Sequence, residues 1–195
     1  MRKIYLLLSL ISFLSYSQQK KDWFFGLEIG NNTITSSDLS NKNSLQGGFM
    51  VEYYFAKQWS VLGRLKYYKT GTMNNAKTAY FKGAVLSLPI DFKWEYKITN
   101  KFKGNLFTGI ALNKEVKSNY YYPPNEKIDY STFFGSFNAG VGLTYFLNSK
   151  TAIYIDYETY KYGGYKGTSG NILGAKNYYT ENNLLNIGLK HNFKK

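Results

Sequence analysis

The sequence predicts an all-β protein: an eight-stranded antiparallel up-and-down transmembrane β-barrel with an N-terminal signal peptide. Three observations predict it. Eight segments alternate apolar and polar residues with period 2. Every charged side chain in those segments falls on the face opposite the apolar one. The composition, with 20 Tyr, 14 Phe and 18 Gly but only 3 Pro, favours strands over helices.

The leader comes first. Arg2 and Lys3 precede an apolar stretch over 4–14, and Ser15-Tyr16-Ser17 places small residues where a signal peptidase reads them. Cleavage is expected before Gln18, which divides the chain into a signal peptide, 1–17, and one barrel domain, 18–195. An apolar run of that length covers only about half of a ~30 Å hydrocarbon core as a helix, too little to span it. No later stretch of 18 apolar residues occurs, and the mean hydropathy is −0.39.

The strands are predicted at 23–30, 45–55, 59–68, 85–96, 102–113, 133–145, 151–160 and 184–193. The first carries Trp23, Phe25, Leu27 and Ile29 on one face, and the fourth carries Leu86, Leu88, Ile90, Phe92, Trp94 and Tyr96. The others repeat the pattern, as in Ile153, Ile155, Tyr157 and Leu185, Ile187, Leu189. On the opposite face lie Glu28, Glu52, Arg64, Lys66, Asp91, Lys93, Glu95, Lys103, Asp156, Glu158 and Lys190. A chance arrangement would put about half of these on each face, so the partition marks a half-buried sheet.

Alternation alone does not say which face points inward; size does. Eight strands enclose an interior just wide enough for side chains. The apolar face is bulky at nearly every position. The charged face interleaves its long side chains with Gly26, Gly48, Gly109, Gly140, Gly142, Gly188, Ser60, Ser87, Ser136 and Ala152. The charged face is therefore expected inside, as a structural ion-pair network of six acids and five bases that fills the lumen with Tyr54 and Tyr154. The apolar face is left to lipid.

Two features agree. Trp23, Phe25, Tyr53, Phe55, Trp59, Trp94, Tyr96, Phe102, Tyr145 and Phe193 gather at one set of strand ends, as an interfacial aromatic girdle does. Connections alternate between long (31–44, 69–84, 114–132, 161–183) and short (56–58, 97–101, 146–150). Long loops on one side and short turns on the other are the bacterial outer-membrane pattern, which puts both termini in the periplasm.

Particular residues also resemble a known family. Leu86-Ser87-Leu88-Pro89-Ile90-Asp91-Phe92-Lys93 resembles a Leu-x-Ile-Pro-Leu strand motif of the small outer membrane protein beta-barrel domain family, which includes PorT-like members and shares the OmpX and OmpA barrel layout. Phe134-Gly135 and the run Ala139-Gly140-Val141-Gly142-Leu143-Thr144-Tyr145 are similar to its glycine-rich sixth strand. Asp156-Tyr157 stands where many members carry Arg-Tyr, and Gly109-Ile110-Ala111 lacks a proline often found there. Because proline cannot donate to a ladder, Pro89 requires a bulge or an unpaired position. Asn186, Gly188 and Phe193 in the last strand resemble the terminal insertion signal, with His191 in an apolar slot and Lys194 and Lys195 beyond. That resemblance implies a partner in the barrel-insertion machinery during biogenesis.

Chemistry beyond the barrel is sparse. Zero cysteine excludes disulfides, thiolate metal sites and Cys nucleophiles, and neither a phosphate loop nor metal-ligand spacing occurs, so no cofactor is expected. A formal charge of +13 would point to nucleic acid. Export removes that partner. His191 is the sole histidine and is expected at the turn end, facing lipid, where it serves neither a Ser-His mechanism nor an outer-rim hydrolase.

At the long loops, Tyr120, Tyr121, Tyr122, Tyr162, Tyr165, Tyr178 and Tyr179 form a candidate ligand surface for a protein or glycan. Lys42, Lys69, Lys77, Lys114, Lys117, Lys127, Lys161, Lys166 and Lys176 would meet lipopolysaccharide phosphates on that side. The function expected is a non-enzymatic outer-membrane barrel serving envelope integrity or surface interaction. Alternatives are a PorT-like accessory of a protein secretion machine and a lipid A-modifying enzyme.

Overall fold

A computed structural model of the chain describes residues 22–35, 39–40, 42–74, 80–122, 126–128, 133–162 and 181–194. The expected signal peptide over 1–17 and its cleavage point before Gln18 lie outside them. Ten strands are present: β1 (Asp22–Thr35), β2 (Leu39–Ser40), β3 (Lys42–Tyr54), β4 (Trp59–Asn74), β5 (Tyr80–Lys97), β6 (Phe102–Tyr122), β7 (Glu126–Ile128), β8 (Phe133–Phe146), β9 (Thr151–Tyr162) and β10 (Glu181–His191). Eight of them are barrel staves, each antiparallel to the next; β2 and β7 are short additions pairing β4 and β6 at the loop end. Closure comes from β1 against β10, with Leu27 opposite Leu189 and Thr35 opposite Glu181.

Alternation fixes the faces. Leu27, Ile29, Leu88, Ile90, Ile110, Phe137 and Ile187 are exposed on the outside, while all eleven charged residues of the opposite face are buried. A soluble barrel would bury its apolar side chains, whereas a membrane barrel presents them to lipid.

At the turn end the expected strand bounds agree with the structure within two residues. Phe55 belongs to a turn, and the last strand stops at His191, short of Phe193. Turns 98–101 and 147–150 are closed alike: Thr99 Oγ1 accepts from the amides of Lys101 (3.3 Å) and Phe102 (3.0 Å), and Asn148 Oδ1 from those of Lys150 and Thr151 (both 2.8 Å).

The loop end corrects the sequence reading. Much of 31–44, 69–84 and 114–132 is strand, as are 161–162 and 181–183 at the two ends of the fourth connection, and β6 runs nine residues beyond Asn113. Its 21 residues span roughly 69 Å along the strand at about 3.3 Å per residue. Even with barrel tilt this far exceeds the ~25 Å apolar band of a membrane barrel. On β1 and β3 the extension was illegible because the outward residues turn polar there. Asn31 and Thr33 on β1, and Asn43 on β3, face outward as Ile29 and Leu45 do below them, so apolar contrast ends while hydrogen bonding continues.

Pro89 sits where its chemistry demands. It is paired with Ala111 of β6, but the β4–β5 ladder has no pairs between Gly63↔Ile90 and Lys66↔Ser87, so Arg64 and Leu65 face an interrupted edge. A bulge at Ala84/Val85 lies higher on the other edge of β5.

Candidate functional site: the filled lumen and its two rims

The inward side chains form two separate ion-pair networks. Near the turns, Lys190 Nζ lies 2.7 Å from Glu52 and 3.4 Å from Glu95; Lys93 lies 3.1 and 3.2 Å from the same two carboxylates, and Lys103 lies 3.4 Å from Glu95. Lys190 also donates to Tyr54 OH (2.9 Å), which donates to Glu95 (2.7 Å), and Ser60 donates to Glu52 (2.7 Å). Three cations thus meet two carboxylates.

Higher up, Arg64 lies 2.5 Å from Asp91 and 2.7 Å from Glu158, and Lys66 pairs with Glu28 (2.5 Å) and with Glu158. Here two cations meet three carboxylates. Asn186 donates to Glu158 (2.6 Å), Tyr154 to Glu28 (3.1 Å) and Asn138 to Asp91. Asp156 lies between the networks and accepts from Asn105 at 3.4 Å. Buried charge is tolerated only when paired and hydrogen-bonded, and these partners come from different strands across the barrel.

Sequence reasoning placed Tyr54, Tyr154 and Ala152 in the lumen but missed the rest of the apolar filling. Phe24, Tyr54, Phe146 and Ala152 cluster at the turn end, and the Lys190 ammonium lies 5.2 Å from the Phe24 ring centre and 5.7 Å from that of Phe146. Met50, Leu62 and Tyr154 form a second cluster, and the Arg64 guanidinium covers the Phe107 ring at 4.8 Å. Tyr68, Val85, Ala111, Tyr160 and Leu184 form a third toward the loops. Parity held the signal: Phe24, Met50, Leu62, Phe107 and Leu184 share the register of Glu28, Glu52, Arg64, Lys103 and Lys190.

Inward glycines make this filling fit. A Cβ on Gly140 would enter the Phe107 ring, and one on Gly188 the Tyr154 ring. On the outer face Gly104 does the same for Tyr96, whose ring lies across it.

The turn-side rim carries the aromatic belt. Trp23 stacks near Tyr53 (4.6 Å between centroids), Trp59 near Phe92 (5.0 Å) and Trp94 (6.3 Å), Trp94 near Tyr96 (5.4 Å) and Phe102 near Tyr145 (6.4 Å). His191 is half-buried there, with Nδ1 2.9 Å from Thr151 Oγ1 and its ring against Phe193. Of the terminal-signal residues, Asn186 and Gly188 point inward and Phe193 is exposed beyond the strand.

The candidate loop surface is placed differently from expectation. Tyr120, Tyr121 and Tyr122 are on β6, not in a loop, with Tyr121 opposite Tyr80 and Tyr122 opposite Glu126; Tyr162 is on β9 opposite Ser136. Their backbones continue the sheet, since the ladder needs no apolar contrast. Tyr165, Tyr178 and Tyr179 lie outside the described residues, as do Lys77, Lys166 and Lys176. Lys42, Lys69, Lys114, Lys117 and Lys161 are likewise on barrel strands, and Lys127 is on β7.

Solved structures share this architecture. Neisserial surface protein A aligns with a TM-score of 0.65 at 11% identity, covering 88% of this chain and 97% of that one. Ail, the attachment invasion locus protein of Yersinia pestis, aligns with a TM-score of 0.59 at 12% identity (90% and 100% covered), and OprG of Pseudomonas aeruginosa with 0.53 at 14% (92% and 100%). At such identities the likeness is one of fold. Comparison with curated proteins gives no match. The family model described as "Outer membrane protein beta-barrel domain" matches residues 4–193, and the chain belongs to that outer-membrane family.

Proposed function

We propose that this outer-membrane barrel is a non-enzymatic, closed platform that carries its strand extensions and loops outside the cell and serves envelope integrity or surface interaction. The observation that carries the reading is the filled lumen. Two ion-pair networks and three apolar clusters occupy its length, and side chains from opposite walls meet across it, as Arg64 of β4 meets Glu158 of β9 and Lys190 of β10 meets Glu95 of β5. In this reading the eleven charged residues are structural. With both described ends of the barrel chain on the short-turn side, the termini lie in the periplasm and the extensions of β5 and β6 point outward.

The basic residues of those extensions suit lipopolysaccharide phosphates, and Tyr120, Tyr121, Tyr122 and Tyr162 on the extensions, with Tyr165, Tyr178 and Tyr179, suit a protein or glycan partner. Asn186, Gly188 and Phe193 serve recognition by the insertion machinery. The test has two parts. The purified chain, reconstituted in planar bilayers, is expected to give no stable conductance. Replacing 163–180 by a short Gly-Ser linker is expected to leave heat-modifiable mobility intact while abolishing binding to whichever glycan or protein the full chain captures. Long-lived open channels, or lipid A altered by the purified chain, would overturn the reading.

A further inference from the structure

The turn-side rim carries a net positive charge. Its three turns read Phe55-Ala56-Lys57-Gln58, Ile98-Thr99-Asn100-Lys101 and Leu147-Asn148-Ser149-Lys150, each with one exposed lysine and no acid. Lys97 ends β5 at the same level, and exposed Lys194 follows β10. Among the described residues the one surface acid at this rim is Asp22, 3.5 Å from Lys194. Five lysines less one carboxylate leave +4. The network beneath adds three cations less two carboxylates, a further +1. In sequence, Lys20, Lys21 and Lys195 extend the same bias. The loop side is also basic, but there acids stand among the lysines: exposed Lys161 pairs with Glu181 at 2.9 Å, and Glu126 precedes Lys127.

Position gives this charge a partner. The lysines stand one step beyond the aromatic belt: Lys57 is two residues from Trp59, Lys97 follows Tyr96, Lys101 precedes Phe102 and Lys194 follows Phe193. A girdle of amphipathic rings marks the boundary between hydrocarbon and headgroups. Lysines just past it extend their ammonium groups to the depth of the lipid phosphates. We propose that this rim is a docking ring for anionic phospholipid headgroups of the leaflet that meets the turns. A headgroup with net negative charge neutralises the ring, while a zwitterionic one brings its own cation and leaves the lysines repelling one another. Each lysine near an anionic surface contributes roughly a fivefold preference. The proposal rests on the barrel being embedded in a membrane.

All three tryptophans of the chain, Trp23, Trp59 and Trp94, lie at this rim, so the protein carries its own probe. The full chain is refolded in phosphatidylcholine vesicles containing equal small fractions of either bromine-labelled phosphatidylglycerol or bromine-labelled phosphatidylcholine, and tryptophan quenching is read. The anionic quencher is expected to give at least about twofold greater quenching at low salt, with the excess lost near 0.5 M salt, where screening shortens to a few ångströms. The variant Lys57→Gln/Lys97→Gln/Lys101→Gln/Lys150→Gln/Lys194→Gln should lose most of the excess. Lys69→Gln/Lys82→Gln/Lys117→Gln/Lys161→Gln, on the loop side, should keep it. Equal quenching by the two lipids in the wild type, or an excess that survives the turn-side substitutions or high salt, overturns the proposal. Absence of quenching by either lipid, with no heat-modifiable mobility, would instead overturn the embedded barrel itself.

Discussion

Arg64 and Lys190 are both buried lumen cations that bridge two carboxylates, yet their removal should cost different amounts. Truncating one partner of a buried ion pair costs about 3 to 5 kcal/mol, because the remaining charge stays buried without compensation. The Arg64→Met change leaves Lys66 alone to face Glu28, Asp91 and Glu158, taking that network from −1 to −2. It also uncovers the Phe107 ring. The Lys190→Met change leaves Lys93 and Lys103 against Glu52 and Glu95, taking the other network from +1 to zero.

Arg64→Met is therefore expected to lose about 4 to 5 kcal/mol and Lys190→Met nearer 2 to 3. Adding Asp91→Asn to Arg64→Met should recover about 1 to 3 kcal/mol, the usual coupling of residues in one network. Urea unfolding of the chain in lipid vesicles, followed by tryptophan fluorescence and heat-modifiable mobility, supplies the comparison. Equal losses for the two single variants, or no recovery in the double one, would refute the idea that net charge within each network sets the cost.

Further outcomes follow from the placement of side chains and from the leader. Ile187, flanked by Ile29 and Ile155 in the middle of the apolar band, should tolerate arginine poorly, at about 2 to 4 kcal/mol, whereas Ile153 beside Tyr145 near the girdle should lose about 0 to 1; refolding yields in vesicles compare them, and equal penalties would contradict this depth assignment. Gly188→Val should overpack against the Tyr154 ring and cost about 1 to 3 kcal/mol. Gly63→Val, with its nearest atom 4.0 Å away on the lipid side, should be tolerated in the same unfolding assay. Intact mass of the outer-membrane form is expected to begin at Gln18, and a chain retaining 1–17 would contradict the leader reading.

The fold was legible wherever a strand separates lipid from lumen, since there the two faces differ most in chemistry. Trp23 to Ile29 on one side and Glu28 on the other define inside, outside and register at once. Legibility ended where both faces become polar: Asn31, Asn32 and Thr33 alternate in direction but not in character, so the extension of β1 read as loop. The lumen was legible by charge and not by partner. That Arg64 would meet Asp91 and Glu158 rather than Glu52 depends on strand stagger around the ring, which alternation does not encode. Leu184 and Phe24 were hidden for another reason: an apolar residue on a charged face looks like noise until its neighbours are known.

The interruption at Pro89 says where this ring is thinnest. The joint between β1 and β10, the first and last staves in chain order, is an unbroken run from Phe25↔His191 to Thr35↔Glu181. The joint between β4 and β5, covalently connected at the loop end, is instead divided into one block from Trp59↔Trp94 to Gly63↔Ile90 and another from Lys66↔Ser87 to Met73↔Tyr80. Chain order and structural weakness are thus uncoupled. A circular permutant that links β10 back to β1 and opens the chain within 75–79 would put its break on the divided joint, and should gain heat-modifiable mobility more slowly on refolding than the native order does. In the native order that joint is a hairpin, whose local connection offsets its missing rungs with a small closure entropy.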